Sequence, residues 1–217
     1  MSFSHPLRWV PIRSLAPRHR ERILTHLLAL DAGDRYLRFG YAASDTQIES
    51  YVGGLDFERD EVFGIFNRRL ELLAMAHLAY PGPSSTATPP ALAEFGVSVA
   101  AAARGRGYGS RLFTHAVTHA RNRGTDRLMI HALTENKAML QIARSAGAVV
   151  QRDGPESEAW LQLPPDTLGS QLEELVETHA AEVNYQFKRH ALRLEQLMEA
   201  VGEARAQVGR QIDGDRV

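Results

Sequence analysis

Cysteine is absent from the 217 residues of this chain. That excludes disulfides, thiolate metal sites and a cysteine nucleophile, and it suits a reducing compartment. No apolar run approaches the ~20 residues needed to cross a bilayer. The opening residues, MSFSHPLRWVPIRS, hold no apolar core of signal-peptide length. Charge of one sign is not in excess either: 25 Lys and Arg stand against 26 Asp and Glu, a formal net charge of −1. No whole-protein field therefore directs the chain to nucleic acid or to an anionic membrane. What these absences leave, with an ordinary apolar fraction of 44%, is a soluble, cytoplasmic, globular protein. Its length allows one large domain, or one domain with an appendage.

Against this background one stretch stands out, residues 94–109, EFGVSVAAAARGRGYG. A short apolar run leads into a loop with glycine at alternate positions, Gly105, Gly107 and Gly109. A helical pattern follows at once, with Leu112, Phe113, Ala116, Val117 and Ala120 on one face. Strand, glycine turn and helix N-terminus together form a phosphate-binding arrangement. Glycine admits close approach and positive φ, while the free N–H groups and the helix dipole attract an anion. A Walker loop would need Lys followed by Ser or Thr after its last glycine, and none is here. A dinucleotide fingerprint needs G-x-G-x-x-G, whereas this loop reads G-x-G-x-G after Arg104. A tight turn before a surface helix would use the same glycines.

The pattern Arg104-Gly105-Arg106-Gly107-Tyr108-Gly109 resembles the R/Q-x-x-G-x-G/A signature of the GCN5-related N-acetyltransferase (GNAT) family. A second stretch, Asn136-Lys137-Ala138-Met139-Leu140-Gln141-Ile142-Ala143 ending in Gly147-Ala148, resembles that family's second coenzyme A motif, with glycine eleven residues after the asparagine. Residues 35–39 with Ser44-Asp45 are similar to members that include bacterial protein-lysine acetyltransferases.

The order of elements agrees with that resemblance. Residues 7–13 read as a first strand, at an edge because of Pro11. Residues 17–31 read as a helix with Pro17 in its first turn. A second helix is expected over 46–52, capped by Ser44 or Asp45 and closed by Gly53-Gly54. Strands follow at 62–67 and 70–80 around an Arg68-Arg69 turn, then a Pro-rich loop at 81–90 and a strand at 91–100. A helix over 107–123, a strand over 127–133, a helix over 136–145 and strands at 148–152 and 158–163 complete the series β-α-α-β-β-β-α-β-α-β-β. The resemblance implies an α+β fold, a central twisted, mostly antiparallel mixed sheet flanked by helices, over residues 1–165. Beyond Pro164-Pro165, residues 166–217 carry apolar residues three or four apart. They read as a helical extension, either folded back as a hairpin or paired with a second copy as a coiled coil. A homodimer through that extension is the second possibility.

The resemblance further implies acetyl-coenzyme A as co-substrate and an amine as acceptor. Backbone N–H groups of Arg104, Gly105, Arg106, Gly107, Tyr108, Gly109 and Ser110 are expected to hold the pyrophosphate, with charge added by the Arg104 and Arg106 side chains. Tyr108 itself is expected to point toward packing. The strand carrying Val97, Ser98 and Val99 is expected to pair with the pantetheine amides and to supply oxyanion donors, and Met139 joins the coenzyme site. Asn136 has two open roles, helix N-cap and hydrogen-bond donor near the pantetheine.

Glu94 is the first candidate for the base that takes the amine proton, because a carboxylate in a partly apolar cleft becomes a stronger base. A strand-edge acid paired with an arginine is the alternative. His131 is a second candidate, against the commoner satisfied core histidine, and a water relay needs neither. Many relatives carry a tyrosine acid where this chain has Ala143. Arg35, Tyr36, Arg38 and Phe39 are candidates to line the acceptor site, although Tyr36 and Phe39 also suit a core. No metal site is expected: His115 and His119 alone stand at i, i+4, and they read as solvent-facing. The reading is thus an N-acetyltransferase acting by direct attack in a ternary complex. The rivals are a non-catalytic acyl-coenzyme A sensor signalling through the C-terminal helices, and a coiled-coil scaffold with a vestigial head.

Overall fold

A computed structural model describes residues 10–82 and 92–164, together with Tyr185. Its strands are β1 (Arg13–Ser14), β2 (Glu61–Phe66), β3 (Leu72–Ala79), β4 (Leu92–Val99), β5 (Arg127–Leu133), β6 (Val149–Asp153) and β7 (Glu156–Gln162). They form one sheet in the order β1-β2-β3-β4-β5-β7-β6. Every neighbouring pair is antiparallel except β4 and β5, which run parallel. The helices are α1 (Arg20–Leu28), α2 (Ala32–Phe39), α3 (Asp45–Gly53), α4 (Tyr108–Asn122) and α5 (Lys137–Ser145). This is the mixed, mostly antiparallel α+β architecture that the sequence implies.

Strand alternation divides the interior in two. Ala74, Ala76 and Leu78 of β3 and Phe95 of β4 pack with Leu112 and Phe113 of α4 and Leu140 of α5. Val62, Leu72 and Met75 point the other way and pack with Ile23 and Leu27 of α1 and Ile48 and Val52 of α3. So α4 and α5 cover one face of the sheet, and α1 to α3 cover the other. The run LELLAMAHLAY, helical by propensity, is held as a strand because both of its faces are needed in these cores.

Several boundaries follow from local chemistry. Ser44 caps α3 in a capping box with Gln47. Asn67 closes the β2–β3 hairpin, its Oδ1 accepting from the N–H groups of Arg69 and Glu71. That leaves Leu70 at φ 60.

Three expectations need correction. The sequence reading has two helices before β2, and the structure has three. The extra one is α2, which starts where the Asp31 side chain accepts from the Asp34 N–H and ends at Gly40, φ 80. The first strand comprises only Arg13–Ser14 among the described residues, and residues 7–9 lie outside them. Finally, His115 and His119 do not face solvent. His115 is buried, and both rings meet Phe63 edge-on, at 4.7 and 5.3 Å between centroids.

The expected extension over 166–217 lies outside the described residues apart from Tyr185, as does the loop 83–90. Tyr185 is buried beside the β1 edge. The Arg13 guanidinium carbon lies 3.7 Å from its ring centroid, with Phe66 at 5.5 Å and His19 at 5.8 Å.

Candidate active site

The site begins where the parallel pair comes apart. β4 and β5 are in register at Leu92↔Arg127, Ala93↔Leu128 and Glu94↔Met129, and pairing stops there. Beyond Glu94 the strands diverge, while β4 stays paired to β3 as far as Ala74↔Val99. The Ala100 N–H donates to Leu73 O on β3. Strand alternation therefore turns the N–H groups of Val97 and Val99 toward the opening.

On one side of the opening is a cavity of about 510 Å³. Its floor is the glycine loop, with Gly105 and Gly107 both left-handed at φ 72 and 73. A Cβ at either position would meet nothing within 4 Å. The requirement for glycine at both is thus one of backbone conformation. Gly107 is the N-cap of α4 and offers no side-chain cap. The first backbone bond there is from the Arg111 N–H to Gly107 O. The Arg104 N–H, expected among the phosphate donors, is instead taken by Ala101 O at 3.3 Å, but among the described residues no protein group accepts from the N–H groups of residues 105–110. A row of unsatisfied donors at a helix N-terminus, facing a cavity, fits a phosphate. Tyr108 is buried in the adjoining core, as expected, while also bordering the cavity.

The two arginines of the loop are differently placed. Arg104 forms an ion pair with Asp34 of α2 across the cavity mouth. Arg106 donates to Ala102 O at 3.2 Å. Ser98 is buried, and its hydroxyl bonds His26 Nε2 at 2.9 Å, while His26 Nδ1 reaches Leu72 O at 2.9 Å. His26 was not singled out by sequence, since its partners are 72 and 46 residues away. Burial, with the Arg38 charge as a further contribution, holds this histidine below its ordinary value.

A second cavity, about 380 Å³, opens on the other side and is bordered by Glu94, Gly96, Phe39, Tyr41, His131 and Glu156. Glu94 and His131 both reach it and both are exposed. Glu94 therefore stands at a wet rim rather than in an apolar cleft, and His131 is not a core residue. His131 Nε2 lies 3.3 Å from the Glu156 carboxylate. Five residues border both cavities: Leu37, Arg38, Val97, Asn136 and Met139. Asn136 caps α5, accepting from the Met139 N–H at 3.1 Å, and its amide donates to Leu37 O of α2 at 3.3 Å. Of the other acceptor-site candidates, Arg38 and Phe39 line this second cavity. Arg35 is instead occupied by Asp45 at 2.6 Å and by the Leu28 and Leu30 carbonyls. Tyr36 is 38% exposed and so is no core residue. Ala143 is fully buried in α5.

Behind Arg38 runs a polar chain that sequence reasoning missed. Arg38 donates to the Tyr51 hydroxyl at 2.8 Å, which bonds His77 Nδ1 at 2.8 Å. His77 Nε2 reaches Asp60 Oδ2 at 3.2 Å, and Asp60 is further held by Arg59 at 2.8 Å. Burial raises Tyr51, and the Arg38 charge only partly opposes it. Burial and the Arg38 charge lower His77. Burial also works against the Asp60 carboxylate, but bonds from Arg59, the Tyr80 N–H and His77 outweigh it and leave Asp60 below its usual range. The chain is therefore a neutral tyrosine, a neutral histidine and a carboxylate.

Among the described residues no cluster suits a metal ion, and no helix is long and apolar enough to cross a membrane.

A sequence model described as the Acetyltransferase (GNAT) family matches residues 25–148. No curated protein matches the chain. Among solved structures, the chain is similar to the GNAT domain of S. lividans PAT, with a TM-score of 0.60 and 22% identity, covering 70% of this chain and 89% of that one. It is also similar to a cAMP-binding acyltransferase from Mycobacterium smegmatis, TM-score 0.53 and 21% identity, covering 82% of this chain and only 52% of that one. A third is spermidine N-acetyltransferase from Vibrio cholerae in complex with CoA and spermine, TM-score 0.55 and 14% identity, covering 71% and 95%. At these identities the likeness is one of fold.

Proposed function

The chain belongs to the GNAT acetyltransferase family, and from that premise we propose that it transfers an acetyl group from acetyl-coenzyme A to a primary amine, of a small molecule or a protein lysine, by direct attack in a ternary complex. One observation carries this reading: two cavities meet through five shared residues where β4 and β5 part. Cavities that adjoin in this way let donor and acceptor approach the same point from opposite sides, which is what a one-step transfer needs.

In this reading the diphosphate lies on the N–H groups of residues 105–110 at the start of α4. The pantetheine follows β4, where the N–H groups of Val97 and Val99 supply strand-like donors. The same donors favour the charge that builds on the carbonyl oxygen. Asn136 and Met139 close the other wall. The acceptor enters beside Phe39 and Tyr41, and Glu94 or His131 at the rim takes the proton it loses, directly or through water. Calorimetry with acetyl-coenzyme A, followed by release of coenzyme A over a panel of amines, tests the proposal. Binding with turnover on at least one amine is the expected result. Tight binding without turnover on any amine would leave an acyl-coenzyme A sensor, and no binding would remove both readings.

A further inference from the structure

Arg38 is a cation at the junction of the two cavities with no carboxylate to neutralise it. Among the described residues no ion pair is formed by its guanidinium. Its Nε is buried without a hydrogen-bond partner. The groups on which its charge acts are neutral, Tyr51 on α3, His77 on β3 and His26 on α1, while the Asp60 and Glu94 carboxylates are near enough to act on Tyr51 but form no ion pair with Arg38. The guanidinium lies flat over the β4 backbone at Gly96, where a Cβ would stand 2.8 Å from its central carbon. It is fixed there by the Tyr51 hydroxyl and by the Phe39 and Tyr51 rings, at 5.1 and 5.5 Å. Gly96 and Val97 are where β4 has left β5, so this charge stands where the two cavities adjoin. Of the five residues shared by the cavities, only Arg38 and Asn136 are polar, and Asn136 is spent on its cap and on Leu37 O.

We propose that Arg38 is a catalytic residue of the transfer, stabilising the sulfur of coenzyme A as it departs in its thiolate form, with Tyr51, His77 and Asp60 as the positioning residues that hold it in place. The proposal rests on the acetyltransferase reading above. In the step, the amine nitrogen forms a bond to the carbonyl carbon and the carbon–sulfur bond breaks. The electron pair of that bond leaves on sulfur, opposite the guanidinium. The proton lost by the amine goes to the rim carboxylate or to water, and the thiolate takes its own proton from solvent after release. A hydroxyl acid at position 143 is then unnecessary, and Ala143 is free to fill the core.

The test uses the full chain with bound coenzyme A, read by the ultraviolet absorbance of its thiolate against pH. In R38Q the pH at which half the bound thiol is ionised is expected to rise by at least about one unit, the effect of removing an opposite charge within a few ångströms. R38K is expected to lie between the two. Y51F, which frees the guanidinium without removing it, is expected to move the same way by less. Where an acceptor amine turns over, R38Q is expected to lower kcat about 100-fold, with KM for acetyl-coenzyme A little changed. An unchanged thiol titration in R38Q that still binds coenzyme A overturns the proposal. So does a loss confined to KM for acceptors that carry a carboxylate, which would make Arg38 an acceptor anchor. The titration needs no turnover, so failure of the acetyltransferase reading and failure of the Arg38 role give different results.

Discussion

Glu94 and His131 stand on the same face of neighbouring strands, since Glu94 pairs with Met129 and His131 follows two residues on. Both are exposed, but only His131 has a close carboxylate partner, Glu156. That pairing ties the imidazole to the β5–β7 edge and leaves Glu94 the freer of the two. E94Q is expected to lower kcat by about 100-fold, at the low end for a general base, with acetyl-coenzyme A affinity retained. H131Q is expected to cost less than about tenfold by the same measure. Equal, small losses in both would point to a water relay. His19 sets a different test, on stability. It is buried, and its Nδ1 accepts from the Ala16 N–H at 2.9 Å. Burial first, then the charges of Arg13 and Arg18, lower it from 6.5 to about 4. The folded state thus binds fewer protons than the unfolded state between those values. Stability is expected to fall as pH drops from about 6.5 to about 4, by at most about 3 kcal/mol from this group. Denaturant midpoints across that window should flatten in H19N, and an unchanged slope would show that the acid sensitivity lies elsewhere.

Among the elements, the glycine loop makes the sharpest demand. Gly107 sits at φ 73 with open space around its missing Cβ, so G107A adds backbone strain of about 1 to 2 kcal/mol and no clash. Strain that turns the 105–110 amides away from the cavity is expected to weaken acetyl-coenzyme A binding at least tenfold by calorimetry. G154A, in the β6–β7 turn at φ 57, carries similar strain far from the loop and should leave affinity unchanged. Equal loss of affinity in both variants would mean the loop is only a turn. This loop, with α4, β5, α5 and the Ser44 cap of α3, was legible because its signals are local: glycine spacing, capping residues and apolar period. The α2 helix escaped notice although Asp31 and Gly40 bracket it, because its eight residues are too few for an apolar period to repeat and none of them is buried. The parting of β4 and β5 could be inferred only from the family resemblance, since divergence of two backbones leaves no mark on side-chain type. The chain Arg38, Tyr51, His77, Asp60 joins three elements and the turn before β2 across separations of 13, 26 and 17 residues. No spacing rule reaches that far, and the burial that gives it meaning exists only after folding. His115 and His119 were misread for a related reason: the partner that draws them inward, Phe63, is on β2.

At the scale of the whole molecule, Tyr185 shows that the region after residue 165 contributes at least one side chain to the body of the domain. Its ring completes the core cluster beneath α1 and α3, against the Arg13 guanidinium and the Phe66 and His19 rings. Losing a buried aromatic of this kind costs roughly 3 kcal/mol or more, plus whatever the stacked cation loses when its face is opened to water. In Y185A the unfolding midpoint is therefore expected to drop by about 6 to 12 °C, given about 2 to 4 °C per kcal/mol at this chain length. The drop should not depend on protein concentration, because Tyr185 and its partners belong to one chain. The coenzyme site is three strands away, past β2 and β3, so acetyl-coenzyme A affinity should stay within about twofold if the two regions are additive. A larger change in affinity would mean that the edge of the sheet and the parting of β4 and β5 are coupled, and would revive the sensor reading. An unchanged midpoint would make the burial of Tyr185 incidental, and the residues after 165 an appendage that the domain does not need.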